Sequence, residues 1–152
     1  MSEEFPPEMR RQLNDRLNTS GKDYGISFKS DGLLSNTHLA LTLSEYAKEK
    51  GNFGTLHKKL FHAYFEGKKD IGDKGVLLQL AEEAGLSREE VEEAWQDPVW
   101  EERLKQVSAA AHKDEATGVP TFIINDKYRI VGAQPYEEFQ KSLRDIVEKE
   151  NE

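Results

Sequence analysis

The sequence has 152 residues, a formal net charge of −8 and no cysteine. The length fits one domain with a hydrophobic core of its own. The acidic balance argues against a nucleic-acid-binding protein and against binding to an anionic membrane surface, because both need a surplus of Lys and Arg. The lack of cysteine excludes disulfides, thiolate nucleophiles and cysteine-bound metals within this chain.

No apolar run approaches the ~20 residues that a membrane-spanning helix needs. The N-terminal stretch MSEEFPPEMRR is acidic and then proline-rich, without the apolar segment of a secretory signal. The sequence therefore predicts a cytoplasmic protein with neither a membrane nor a nucleic acid as its partner.

The first predicted element is a short helix after Pro7, in which Met9, Leu13 and Leu17 recur every four residues. The stretch that follows, NTSGKDYGISFKSDGLLSN, is rich in Gly, Ser, Asn and Asp, which is typical of a loop. Within it, GISFKS predicts at most a short extended piece.

Five further helices are predicted before Gly118, in NTHLALTLSEYAKEKG, NFGTLHKKLFHAYFEG, DIGDKGVLLQLAEEAGLS, SREEVEEAW and VWEERLKQVSAAAHKDEAT. Asp73 is a plausible N-cap, Ser87 and Glu90 form a capping box, and Asp97 precedes a proline at the first helical position. The second of the five carries a wide apolar stripe that predicts deep burial, consisting of Leu56, Leu60, Phe61, Tyr64 and Phe65.

A β-hairpin is predicted from GVPTFIINDKY onward, with Asn125-Asp126 as its turn because both residue types accept positive φ. An isolated two-stranded hairpin is marginal in water, so its strands need cover from helices, from GISFKS or from a second chain. The predicted fold is mostly α with a small β-hairpin. A last helix begins near Pro135, and its predicted buried face consists of Tyr136, Phe139, Leu143, Ile146 and Val147.

The polar residues do not form a recognisable chemical site. The paired glutamates lie on faces that periodicity marks as solvated, whereas general acid–base catalysis needs a carboxyl group in an apolar pocket. GKKDIGDKG lacks the strand before and the Gly-Lys-Ser/Thr ending of a phosphate-binding loop. We therefore predict no catalytic residue, no metal site and no cofactor. The histidines lack the four-residue spacing of helix-borne metal ligands; they are His38, His57, His62 and His112.

Three stretches carry a likeness to a known family: NTHLALTLSEYAKEKG, LHKKLFHAYFEGKKDIGDKGVLLQLAEEAGL and TGVPTFIINDKYRIVGAQPYEEFQKSL. In order and spacing they resemble the DsbA-like family of thioredoxin folds, and most closely its FrnE-like, cytoplasmic branch, over roughly residues 35 to 147. The resemblance implies a thioredoxin core interrupted by a helical insertion and completed by a β-hairpin and a C-terminal helix. It also implies a Val–cis-Pro loop that opens the hairpin beside a Cys-x-x-Cys motif.

Under this resemblance Pro120 matches the cis-proline, and Val119, Pro120 and Thr121 form the predicted substrate-binding site. The residue before such a proline presents its backbone to an extended peptide. We find no counterpart of the family's first β-α-β unit, which carries the cysteines, so a truncated DsbA-like fold is expected. We predict one structural domain with three regions: residues 1–34, an N-terminal helix and loop; residues 35–117, an insertion-like helical region; and residues 118–150, the hairpin–helix half of a thioredoxin fold.

Three functions are open at this point. The first is that of a DsbA/FrnE-like protein from a family of disulfide oxidoreductases and related isomerases, which is inactive alone because exchange needs a thiolate. The second is a non-redox module that binds a peptide or a small molecule at the predicted loop. The third is a homodimer that completes its sheet by pairing hairpins or by domain swapping.

Overall fold

The structure is a computed structural model that describes residues 6–29, 33–114 and 116–151, apart from the side chain of Arg10. The predicted class, mostly helical with one small antiparallel hairpin, is confirmed. In chain order the elements are α1 (Pro7–Gly21), a 3₁₀ turn (Lys22–Tyr24), α2 (His38–Lys50), α3 (Phe53–Phe61), a π-helical segment (His62–Glu66), α4 (Lys74–Glu83), α5 (Arg88–Gln96), α6 (Pro98–Lys113), β1 (Thr121–Ile124), β2 (Tyr128–Val131) and α7 (Tyr136–Glu150).

Local capping residues set several helix starts, as the sequence predicts. The Asp73 carboxylate accepts a hydrogen bond from the Val76 N–H at 2.9 Å, at the start of α4. Ser87 and Glu90 form both hydrogen bonds of a capping box at the start of α5. Asp97 accepts from a backbone N–H in the first turn of α6. These bonds satisfy N–H groups that a helix N-terminus leaves without an intrahelical partner.

The core of the first part of the chain lies among α2, α3, α4 and α5. Each of these four helices contributes one large side chain with no solvent exposure, and a wider set of buried apolar residues surrounds them. Such interiors are close-packed, so this cluster holds the four helices together. The four side chains are Leu43, Leu56, Leu77 and Val91.

The helix predicted through NFGTLHKKLFHAYFEG changes its hydrogen bonding halfway. α3 ends at Phe61, and the chain continues as the π-helical segment, in which the Gly67 N–H donates to the His62 carbonyl at 2.9 Å. The prediction of a deeply buried stripe is wrong at Phe61, whose exposed fraction is 53%. Leu56 and Leu60 are buried in the core, whereas Phe61 lies on a side of α3 that stays partly open to solvent.

The segment predicted as a short extended piece forms no strand over its described residues, 25–29. The Asn18 side chain instead takes the place of a strand partner: its amide donates to the Phe28 carbonyl, and its carbonyl oxygen accepts from the Phe28 N–H. The Lys29 N–H donates to the Phe65 carbonyl at 2.8 Å. One side chain and one helical carbonyl thus satisfy backbone groups that a sheet would otherwise pair.

β1 and β2 pair in register, from Thr121 opposite Val131 to Ile124 opposite Tyr128. Asn125 and Asp126 have φ values of 53° and 54°, which is the φ pattern of a type I′ turn. In α7 the predicted buried face is only partly correct. Ile146 is buried, whereas Tyr136 is 72% exposed and Val147 is also exposed, because two strands are too narrow to cover the whole helix.

The contacts of the chain group into two compact units, residues 1–104 and 105–152, with the boundary inside α6. The boundaries that the sequence suggests, after residues 34 and 117, stay a prediction. Across the described ranges, the structure contains no helix with the length and apolar character needed to cross a membrane.

Candidate functional site

The predicted site, Val119-Pro120-Thr121, forms the entry to β1 in the second unit. The Val119–Pro120 peptide bond is cis. The Thr121 hydroxyl donates to the Gly118 carbonyl at 2.6 Å, and the Pro120 carbonyl accepts from the Gly132 N–H at 2.7 Å. Both bonds tie the loop to its own hairpin. The loop is therefore a defined surface feature, and the Val119 side chain on it is 94% exposed.

Gly132 is a part of this site that the sequence analysis did not identify. Its φ of +87° lies in a region that side-chain-bearing residues rarely adopt. This conformation follows the end of β2 and lets the Gly132 N–H reach the Pro120 carbonyl. The signal in the sequence was the glycine that comes directly after the second strand, in VGAQP.

The two faces of the hairpin differ in how far they are covered. On the face toward α7 Ile130 is buried, and the Phe122 ring, which stays 40% exposed, packs on Phe139 of α7 with 4.8 Å between ring centroids. On the opposite face Ile123 and Val131 are 46% and 40% exposed. In the described residues β1 has a strand neighbour on one side only, so its other edge is open beside the Val119 loop.

The far end of the hairpin is anchored to the end of α7 by polar contacts. The Lys127 ammonium and the Tyr128 hydroxyl both donate to Glu150 Oε1 at 3.0 Å. The hydrogen bond from Lys127, followed by that from Tyr128, lowers the pKa of the Glu150 carboxyl below its ordinary value. This cluster is exposed and lies at the turn, so it stabilises the hairpin at the end opposite the loop.

The histidines do not converge on a common point. In the parts of the chain that the structure describes, no three His, Asp or Glu side chains come together as metal ligands. Each histidine has local contacts of its own: Glu101 for His38 at 2.8 Å, Glu66 for His62 at 3.1 Å, the Ser108 carbonyl for His112 at 2.7 Å, and the rings of Phe53 and Phe61 for His57.

The first unit contains a second surface feature that the sequence analysis missed. A row of rings runs along α3 and the π-helical segment, with centroid separations of 5.0, 4.5 and 5.6 Å between successive members. Their spacing of four residues was visible in the sequence, but periodicity alone cannot distinguish a covered row from an open one. The row consists of Phe53, His57, Phe61 and Phe65.

Two curated proteins with similar sequences support the resemblance to the DsbA-like family. The chain is 33% identical to the Bacillus subtilis protein YwbO over 110 residues, which are 72% of this chain and 54% of YwbO. It is 30% identical over 74 residues, 49% of this chain, to the thiol:disulfide interchange protein DsbA of Pseudomonas syringae, and spans 35% of that protein. The chain thus spans about half or less of the curated relatives.

A solved structure shows the same fold. The crystal structure of a protein from Streptomyces coelicolor, described as a probable DsbA oxidoreductase, superposes with a TM-score of 0.82 at 27% identity. The superposition covers 93% of this chain and 62% of that protein.

The family match itself begins earlier than the resemblance. The sequence matches the model of the DSBA-like thioredoxin domain over residues 2–144, which adds α1 and the loop after it to the region that starts near residue 35. The chain therefore belongs to the DSBA-like thioredoxin domain family.

Proposed function

We propose that the Val119-Pro120-Thr121 loop binds an extended polypeptide, as the substrate-holding part of a DsbA-like thiol–disulfide oxidoreductase. The observation that carries this proposal is the loop itself. It combines a 94% exposed Val119, two anchoring hydrogen bonds and an adjoining open edge of β1. An extended peptide that pairs with an exposed strand edge gains main-chain hydrogen bonds, and neighbouring side chains supply selectivity.

Thiol–disulfide exchange would need cysteines that these residues do not contain. In thiol–disulfide exchange a thiolate attacks one sulfur of a disulfide, a mixed disulfide forms, and the other sulfur leaves as a thiolate. The 152 residues contain no cysteine, so they supply neither the attacking nor the resolving thiolate. The chain contributes peptide binding, and the exchange needs a cysteine pair from outside these residues.

The relatives support the reaction class. The name of the Pseudomonas syringae protein states thiol:disulfide interchange, and the Streptomyces coelicolor structure is described as a DsbA oxidoreductase. Because this chain spans only part of each, the activity is proposed for a longer assembly that includes these residues. The FrnE-like branch and the cytoplasmic location likewise stay predictions.

The peptide-binding proposal is tested with reduced and alkylated insulin B chain, an unfolded polypeptide without free thiols. We expect saturable binding by isothermal titration calorimetry, with amide chemical shifts that move at residues 118–124. Val119→Glu should weaken binding about tenfold, because a charge replaces an apolar contact at the centre of the site. The chain alone should not catalyse the oxidation of dithiothreitol.

Val147→Glu is the matched control, since Val147 is also an exposed valine of the second unit but lies on α7. It should leave the affinity unchanged. Equal weakening by both variants, or shifts that avoid the loop, would rule out this site. Oxidation of dithiothreitol by a preparation of this chain would contradict the chemical argument.

A second candidate function is self-association through the hairpin. It is favoured by one observation: Ile123 and Val131 are exposed together on one face of a sheet that has only two strands in the described residues. Two copies that pair their β1 edges would form a four-stranded sheet and remove two open edges. Peptide binding and self-association would then compete for the same edge.

A further inference from the structure

The first unit contains an apolar groove beside the exposed side of α3. One wall is the segment Ile26–Phe28, and the other is formed by Phe61 and Phe65. The groove has a volume of about 480 Å³, within the range of roughly 300–1,000 Å³ that is usual for small-molecule sites. A second depression of about 370 Å³ adjoins it, since both are lined by His57, Phe61 and Phe65.

The walls of this groove are held by specific contacts. Asn18 makes both backbone hydrogen bonds to Phe28, and the Lys29 N–H donates to the Phe65 carbonyl. The Phe28 and Phe65 rings meet edge to face with 5.6 Å between centroids. These contacts fix the walls of the groove in place. The Phe61 side chain in one wall nevertheless remains 53% exposed to solvent.

The charged or titratable residues that line the groove, besides His57, are Lys58, His62 and Glu66, in a stretch of the chain that is richer in basic residues than the rest. Five cationic or titratable basic residues fall between positions 58 and 69, against a net charge of −8 for the chain. Lys58 and His62 line the groove, and both also line a neighbouring cavity of about 400 Å³ together with Lys59 and Lys69.

Two of these residues have an acidic partner, whereas Lys58 and Lys69 form no ion pair within the described residues, and of these two only Lys58 lines the groove. Lys59 is paired with Glu83 at 2.9 Å, and His62 contacts Glu66 at 3.1 Å. Lys58 forms no ion pair within the described residues, and its side chain is at the groove. An exposed ammonium next to an apolar groove matches a ligand with one anionic end and an apolar body.

We propose that this groove binds a small amphiphilic carboxylate. The apolar chain lies against Phe28, Phe61 and Phe65, where it covers side chains that are otherwise in contact with water. The carboxylate lies at the rim and pairs with the Lys58 ammonium. This site is independent of the Val119 loop, and its ligand class follows from the apolar lining and from Lys58, the one lysine among the residues that line the groove.

The test uses octanoate and 1-octanol, which share an apolar chain and differ in charge, with the full chain. We expect saturable octanoate binding by isothermal titration calorimetry, with shifted amide signals at residues 26–29 and 57–66. Phe61→Ala should weaken binding of both compounds about tenfold, because the removed ring forms the exposed wall. Lys58→Glu should weaken octanoate binding about fivefold and leave 1-octanol binding unchanged.

Lys141→Glu, at an exposed lysine of α7, is the matched control for charge reversal and should change neither affinity. Unchanged far-ultraviolet circular dichroism checks that the variants fold. No saturable binding at millimolar octanoate would overturn the proposal. It would also be overturned by a Phe61→Ala variant with unchanged affinity, or by a Lys58→Glu variant that weakens both compounds equally.

Discussion

At the scale of single residues, the Glu90 carboxylate both completes the capping box of α5 and forms an ion pair with Lys50. Its carboxylate accepts from the Ser87 N–H at 2.9 Å, while the Lys50 ammonium lies 3.4 Å away. The backbone hydrogen bond from Ser87, with a smaller contribution from the Ser87 side chain, lowers the pKa of Glu90 from 4.5 to about 2. A carboxyl group whose pKa is lower in the folded state stabilises the fold above its unfolded pKa.

This stabilising contribution is therefore complete above about pH 4.5 and is lost as the pH falls toward about 2. We expect Glu90→Gln, which keeps a neutral acceptor for the Ser87 N–H, to reduce the loss of unfolding free energy over that range. Urea unfolding at a series of pH values measures how the free energy of unfolding changes with pH. Glu89→Gln, one position earlier and outside the capping box, should keep the wild-type profile. Parallel profiles for the wild type and Glu90→Gln would contradict the assignment.

At the scale of elements, the four helices α2 to α5 depend on one another more than on their own propensities. Leu77 of α4 has no solvent exposure and lies in the cluster that these helices share. We expect Leu77→Ala to lower the free energy of unfolding by about 2–5 kcal/mol, because it removes buried methyl groups and leaves a cavity.

The measurement is urea unfolding followed by tryptophan fluorescence. The chain has two tryptophans, Trp95 and Trp100, and both lie in the first unit, so the signal reports on this core. Leu41→Ala is the matched control, since Leu41 is an exposed leucine of α2 and its truncation should cost much less. Similar losses for the two variants would mean that the cluster does not dominate the stability of this unit.

At the scale of the whole molecule, the hairpin leads to a prediction about assembly. A two-stranded sheet with Ile123 and Val131 exposed on one face favours pairing with a second copy. We expect multi-angle light scattering to show a mass that rises with concentration from 17.4 kDa toward about twice that value. Ile123→Lys should keep the chain monomeric, because pairing of the two β1 edges would place like charges on neighbouring strands of one sheet.

Val107→Lys, at an exposed valine of α6, should leave self-association intact and serves as the control. A wild-type mass that stays at 17.4 kDa at every concentration would exclude hairpin pairing. A dimer that persists in Ile123→Lys would place the interface elsewhere.

The sequence alone determined the features that depend on interactions between residues close together in the chain. The caps at Asp73, Ser87 and Asp97 act within one helical turn, so their positions could be predicted from neighbouring residues. The order and spacing of motifs indicated the family and the Val119-Pro120-Thr121 loop. The composition alone shows that these residues supply no thiolate.

The tertiary structure decided which apolar side chains are covered. Phe61 belongs to the same apolar stripe as the buried Leu56 and Leu60, yet it is exposed, because burial depends on whether another element lies opposite. The same holds for Asn18, whose pairing with Phe28 spans ten residues and has no local sequence signal. The groove at Phe61 and the open hairpin face are long-range results of packing, and they are the surfaces at which we expect this protein to bind its partners.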